Sequence, residues 1–218
     1  MSLRDELNAF REEYQRTAPP ERTALYDRRV KELKTRFQVS SASKVGEEAP
    51  DFVLPDVAGA DVALHAMCRR GRVVLVFYRG GWCPYCNLQL RAYQRLLPEF
   101  AARGAQVVAI SPQLPDRSAS TLESNRLEFT VLSDAANVVA RAFGLVYSLP
   151  DDLRKILDSL GKSLPSVNGD DSWELPVPAT YVISRDRKIE FAHLDVDYRE
   201  RCEPAAVLEA IGRLRDAE

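Results

Sequence analysis

Apolar positions change their spacing several times along this chain, and each change marks a different kind of element. In the first forty residues Leu3, Leu7, Phe10 and Tyr14 recur at three- and four-residue steps, and Tyr26, Val30, Leu33 and Phe37 do the same. That is the period of an amphipathic helix with one buried stripe. Pro19-Pro20 separates the two runs, because a proline inside a helix loses a hydrogen bond and clashes with the preceding turn. Ser2 and Asp5 have the spacing of a helix start. The pattern predicts a helical hairpin over residues 1–40, packed as an appendage on the main body or on a second subunit, with no chemistry of its own.

Ser40 to Pro50 is polar and contains Gly and Pro, as a linker does. Beyond it the period shortens. Phe52 and Leu54, then Val62 and Leu64, flank the turn residues Asp56 to Gly59 and predict a short β-hairpin. Residues 73–78 are a continuous β-branched and aromatic run, as in a strand buried on both faces. A helical pattern follows from Pro84 to Ala102, with a kink expected at Pro98 and an end at Gly104. Residues 107–110 read as a second buried strand. A helix around 118–125, a short strand at 129–132 and a helix over 134–143 come next. A long loop-and-helix segment spans 145–173. Residues 180–183 and 189–192 form a hairpin, and Pro204 opens a last helix with Val207, Ile211 and Leu214 inward. This order predicts an α/β fold with a mixed central sheet flanked by helices, its parallel part first and an antiparallel pair closing it.

Composition narrows the function. With 45% apolar and 28% charged residues and a formal net charge of -2, the chain has the balance of an ordinary globular protein. Nothing in it advertises a nucleic-acid partner. No stretch approaches the roughly 18 apolar residues of a membrane span, and the charged N-terminus lacks a secretory apolar core, so a cytoplasmic protein is expected. Four cysteines are too few for a disulfide-stapled scaffold.

The chemistry sits in Phe77 to Cys86, which reads FYRGGWCPYC. Pro84 suits the first helical position, making Cys83 the N-cap and Cys86 the third helical residue. A thiol at a helix N-terminus is biased toward the thiolate, and a cysteine three residues on is close enough to close a small disulfide ring. Cys83 is thus expected to be the exposed, attacking sulfur and Cys86 the resolving one. Gly80-Gly81 lets the backbone turn sharply there. Trp82 is expected to shield the sulfur, and Arg79 to act as a cation beside it. A rival reading takes His65, Cys68, Cys83 and Cys86 as four zinc ligands in a stabilised interaction module. Cys68 and Cys202 otherwise read as structural thiols, and His193 as a structural histidine.

WCPYC after a buried strand resembles the active-site turn of thioredoxin-fold proteins. With APDF at Ala49 to Phe52 and VAISPQ at Val108 to Gln113, the run resembles the peroxiredoxin-like branch of the AhpC/TSA family. The resemblance covers about 45–218 as one thioredoxin-like domain and omits 1–40. It implies a thiol-dependent antioxidant oxidoreductase that reduces peroxides through Cys83 and Cys86 without a bound cofactor. A thioredoxin or glutathione system would be the reductant, and the hairpin leaves room for a homodimer. The alternative is a thioredoxin-type reductase of protein disulfides. Pro178 in VPATYVI resembles the cis-proline that thioredoxin folds place opposite the active site, which makes the Val177–Pro178 bond cis by expectation. Aligned without gaps on the peroxiredoxin loop Pro-x-x-x-Thr-x-x-Cys, Arg79 takes the place of the proline, Cys83 that of the threonine and Cys86 that of the peroxidatic cysteine. Pro178 stands where the family has an arginine.

Overall fold

The computed structural model describes residues 1–215. The chain opens with helices α1 (Leu3–Thr17) and α2 (Pro20–Arg36). Ser2 caps α1 as its sequence suggests: the Asp5 N–H donates to Ser2 Oγ at 3.1 Å and the Ser2 N–H to Asp5 Oδ2 at 2.9 Å. A hairpin of β1 (Val53–Pro55) and β2 (Asp61–Ala63) leads through α3 (Leu64–Cys68) into β3 (Arg72–Phe77). Then come α4 (Pro84–Arg95), α5 (Leu97–Ala102), β4 (Ala105–Ser111), α6 (Pro115–Asn125), β5 (Thr130–Ser133) and α7 (Val138–Ala142). The last part holds β6 (Val146–Ser148), α8 (Asp151–Ser159), α9 (Leu164–Asn168), β7 (Glu174–Pro176), β8 (Ala179–Ile183), β9 (Ile189–Leu194) and α10 (Pro204–Arg215).

The central sheet has the order β5-β4-β3-β8-β9. β3, β4 and β5 run parallel, while β8 is antiparallel to β3 and β9 to β8. Alternating side chains send Val74 and Val76 to one face and Val73, Leu75 and Phe77 to the other, and each face has its own core. Helices α1, α4, α5 and α10 cover the first face. The β1–β2 hairpin, α3 and α7 cover the second.

Three expectations need correction. The helix after Pro84 is broken at Leu96, two residues before Pro98, since the proline settles into the first turn of a new helix. Within 145–173 the sequence pattern missed a two-stranded antiparallel ribbon, because Val146 to Ser148 pairs with Glu174 to Pro176 across two helices. The Val177–Pro178 bond is trans, as are all peptide bonds among the described residues. The chain from β7 to β8 stays extended, held by the Val177 N–H on the Leu145 carbonyl at 2.8 Å, and no tight turn there asks for a cis bond.

Of the two places expected for the N-terminal hairpin, it takes the main body. Leu3 and Leu7 are buried in the first core, and the Glu203 carboxylate accepts from the α1 N-terminus through the Arg4 N–H at 2.6 Å. Arg95 pairs with Glu6 at 2.6 Å, and Arg29 of α2 pairs with Asp152 of α8. No helix among the described residues is long and apolar enough to cross a membrane.

Candidate active site

β3 ends at Phe77, and the chain must turn from the end of this central strand onto α4 within six residues. Gly80 makes the turn with φ at 141°, and a Cβ there would lie 2.4 Å from Trp82 Nε1. A Cβ on Gly81 would lie 2.2 Å from Thr121 Oγ1, so both positions exclude any side chain. Two side chains, one from the loop after β4 and one from α4, then pin the turn. The Gly81 N–H donates to Gln113 Oε1 at 2.7 Å, and Asn87 Nδ2 donates to the Gly81 carbonyl at 2.8 Å. Gln113 ends the VAISPQ run, which gives that motif a physical task. Register pairs Phe77 with Ala179, which puts the neighbouring Pro178 at the same sheet end, where it is buried.

Cys83 is the N-cap of α4 with Pro84 at the first helical position, as the sequence requires. The expected exposure of Cys83 is not found: it is 2% exposed and Cys86 0%. Nor is Cys83 the more acidic thiol. Burial pushes it well above the ordinary range, and the hydrogen bond it gives to Cys86 holds its proton in place. For Cys86 burial acts in the same direction but is outweighed. The Cys83 hydrogen bond, the charges of Arg201 and Arg79 and the Arg79 backbone N–H together hold it well below. Position in the helix start does not separate the two sulfurs here; the donors around them do.

Arg201 was not legible in the sequence. It lies 115 residues beyond Cys86, yet its Nη2 sits 3.3 Å from Cys86 Sγ. Its Nη1 is held by the Tyr198 and Glu200 carbonyls, so the loop between β9 and α10 presents the guanidinium ready-made. Arg79 is 7% exposed and lies over the Tyr198 ring at 3.9 Å and the Trp82 ring at 4.9 Å. Phe10 of α1 meets Tyr85 edge-on at 5.0 Å, and Tyr85 meets Tyr198 at 5.7 Å. The N-terminal hairpin, read as free of chemistry, thus reaches the reactive turn through aromatic contacts.

The zinc reading fails on placement. Cys68 packs in the second core while Cys83 and Cys86 pack in the first, across the sheet. His65 is engaged by Asp51, with Nδ1 3.0 Å from its carboxylate. Among the described residues no group of three or more His, Cys, Asp or Glu is placed to hold a metal.

A model of the AhpC/TSA family matches residues 45–192. The chain belongs to the AhpC/TSA family. The Mycobacterium tuberculosis (strain CDC 1551) protein named "Putative peroxiredoxin MT1643" is 32% identical over 172 residues, 79% of this chain and 96% of that protein. The crystal structure of the peroxidoxin BcpB from Mycobacterium tuberculosis has a TM-score of 0.63 at 27% identity, covering 79% of this chain and 98% of that one. The thiol-disulfide oxidoreductase ResA of Bacillus cereus is 24% identical over 63% of this chain and 78% of its own length. This AhpC/TSA protein is therefore a peroxiredoxin-like, thiol-dependent oxidoreductase on a thioredoxin-type fold.

Proposed function

We propose that the chain reduces hydroperoxides with Cys86 as the attacking thiolate and Cys83 as the resolving thiol. This reverses the roles expected from the helix start and agrees with the ungapped register on the peroxiredoxin loop. One observation carries it: Cys86 Sγ lies 3.3 Å from the Arg201 guanidinium. In this reading residues 45–218 form the redox domain, and residues 1–40 extend it over the site.

The Cys86 sulfur attacks the terminal peroxide oxygen and the O–O bond breaks, leaving a sulfenic acid and an alkoxide. Cys83 gives its proton to the alkoxide, which leaves as the alcohol. The Cys83 thiolate attacks the sulfenic sulfur, a disulfide forms, and the released hydroxide takes one proton from solvent to become water. Arg79 and Arg201 face the charge that develops on the departing oxygen. A thioredoxin or glutathione system then returns two electrons and two protons.

A disulfide substrate is the second reading, favoured by the N-cap position of Cys83 in the lining of a cavity. The test is peroxide consumption by the pure protein with each reducing system, combined with dimedone labelling. Cys83→Ser should retain a sulfenic acid on Cys86. Labelling confined to Cys83 in the Cys86→Ser variant would overturn the assignment, and fast disulfide reduction without peroxide consumption would favour the second reading.

A further inference from the structure

The loop that carries Arg201, residues 195–203 between β9 and α10, is gripped from outside by both N-terminal helices. Asp27 of α2 accepts from Arg199 Nη1, and Lys34 of α2 lies 3.8 Å from Asp197. Arg11 of α1 lies 3.8 Å from Glu200. At the end of the loop the Glu203 carboxylate accepts from the Leu3 N–H at 3.3 Å and the Arg4 N–H at 2.6 Å. A carboxylate suits a helix N-terminus, where backbone N–H groups lack helical partners. The hairpin and this loop both lie outside residues 45–192, the part that matches the family. Two segments from opposite ends of the chain thus hold each other beside the reactive turn.

Inside the loop, geometry passes the grip on to the sulfur. Arg199 donates from Nε and Nη2 to the buried Asp197 carboxylate at 2.8 and 2.9 Å, a two-pronged bond that holds the turn closed. The residues on either side of Arg199 are Tyr198 and Glu200, whose carbonyls hold Arg201 Nη1. No carboxylate pairs with Arg201 among the described residues, so its guanidinium goes where those carbonyls go. Its Nη2 then sits 3.3 Å from Cys86 Sγ. Phe10 of α1 backs the same loop through the rings of Tyr85 and Tyr198. The other charged or titratable groups that face Cys86 are Cys83, Arg79, Tyr78 and Tyr147, and none belongs to α1 or α2.

We propose that the N-terminal hairpin is a positioning device for Arg201, with Asp27 and Arg11 as positioning residues that act through Arg199 and Glu200. The inference rests on the reading of Cys86 as the attacking thiolate. The outer ion pairs are partly exposed and contribute little to stability. Their effect lies in geometry, because a catalytic group displaced by about 1 Å can slow a reaction about a hundredfold. Releasing the loop takes the Arg201 guanidinium away from Cys86 while leaving both sulfurs on α4 where they are.

The experiment titrates the thiolate absorbance of the reduced full chain and measures kcat/KM for hydrogen peroxide with dithiothreitol as reductant. Asp27→Arg should move the titration to higher pH and lower kcat/KM about tenfold. Direction separates two routes, since a positive charge acting through space alone would move the titration to lower pH. Arg11→Glu should shift both readouts in the same sense by less, and adding Glu200→Arg should restore them. Glu21→Arg, the same charge change in the first turn of α2, should alter neither. A titration unmoved or moved to lower pH by Asp27→Arg, in a protein with unchanged circular dichroism, would overturn the proposal even if turnover fell. Should Asp27→Arg unfold the chain, the Arg11→Glu variant decides, and no recovery on adding Glu200→Arg would overturn it. Iodoacetamide alkylation of Cys86, followed against pH by peptide mass, separates this failure from that of the peroxidase reading. A wild type that consumes no peroxide, yet whose Cys86 alkylation shifts to higher pH in Asp27→Arg, would uphold the positioning role.

Discussion

The two faces of the central sheet each bury one cysteine to 0% exposure, Cys68 on one and Cys86 on the other. Equal burial has opposite consequences. Cys68 sits among Leu64, Met67 and Val73, and burial pushes its thiol up to about 11. Cys86 meets the same penalty, but Cys83 and two guanidiniums turn toward it and hold it down. Cys202 sharpens the contrast. It lies in the same core as Cys86, next in sequence to Arg201, and burial still pushes it up to about 12. Thiol acidity in this protein follows the donors aimed at a sulfur, and burial sets only what those donors must overcome.

The largest way to break the comparison is to remove the sulfurs in turn. Cys86→Ser should lower peroxide turnover about a thousandfold or more, as loss of a nucleophile does. Cys68→Ser should leave turnover within about twofold, and a comparable loss in both variants would show that the faces do not differ.

Next comes the cation. Arg201→Met should slow turnover about a hundredfold at neutral pH by removing the charge and donor at Cys86. It should also move the thiolate absorbance of the reduced protein to higher pH. A variant that is slow but titrates as the wild type would make Arg201 a packing residue.

Gly80→Ala tests the scaffold of the reactive face. With φ at 141° and a Cβ 2.4 Å from Trp82 Nε1, the change should cost about 1–3 kcal/mol, read as a lower midpoint of thermal unfolding. An unchanged midpoint would mean the turn relaxes freely.

The smallest effect is the pH dependence of stability. Because Cys86 is depressed in the fold, its ionisation stabilises the reduced protein fully above the unfolded thiol value of about 8.5, and this is lost as pH falls through the folded value. Cys68 and Cys202 are raised, so the unfolded chain releases their protons first and stability declines as pH rises above about 8.5. Denaturant midpoints across this range should show a shallower alkaline decline in Cys68→Ala and an altered acid limb in Cys86→Ser.

Much of the architecture was legible because it is written in local periods. The run 73–78, the Pro84 helix start, the Ser2–Asp5 cap and the antiparallel closing pair all follow from spacing, turn chemistry and backbone rules that act within a few residues. The pair Cys83 and Cys86 was legible for the same reason, since a helix start and one turn bring the two sulfurs together. What the sequence could not decide was which sulfur holds the charge. That depends on Arg201, placed at Cys86 by the carbonyls of its own loop from 115 residues away, and on burial under Phe10 and Tyr198, contacts that no local period encodes. The helices at 1–40 read as helices from their pattern alone, but their place as a wall over the reactive turn exists only once Leu3 and Leu7 have packed into the core beneath α4. Local propensities act through neighbours along the chain, whereas pKa values and cavities are set by whatever groups tertiary packing brings near.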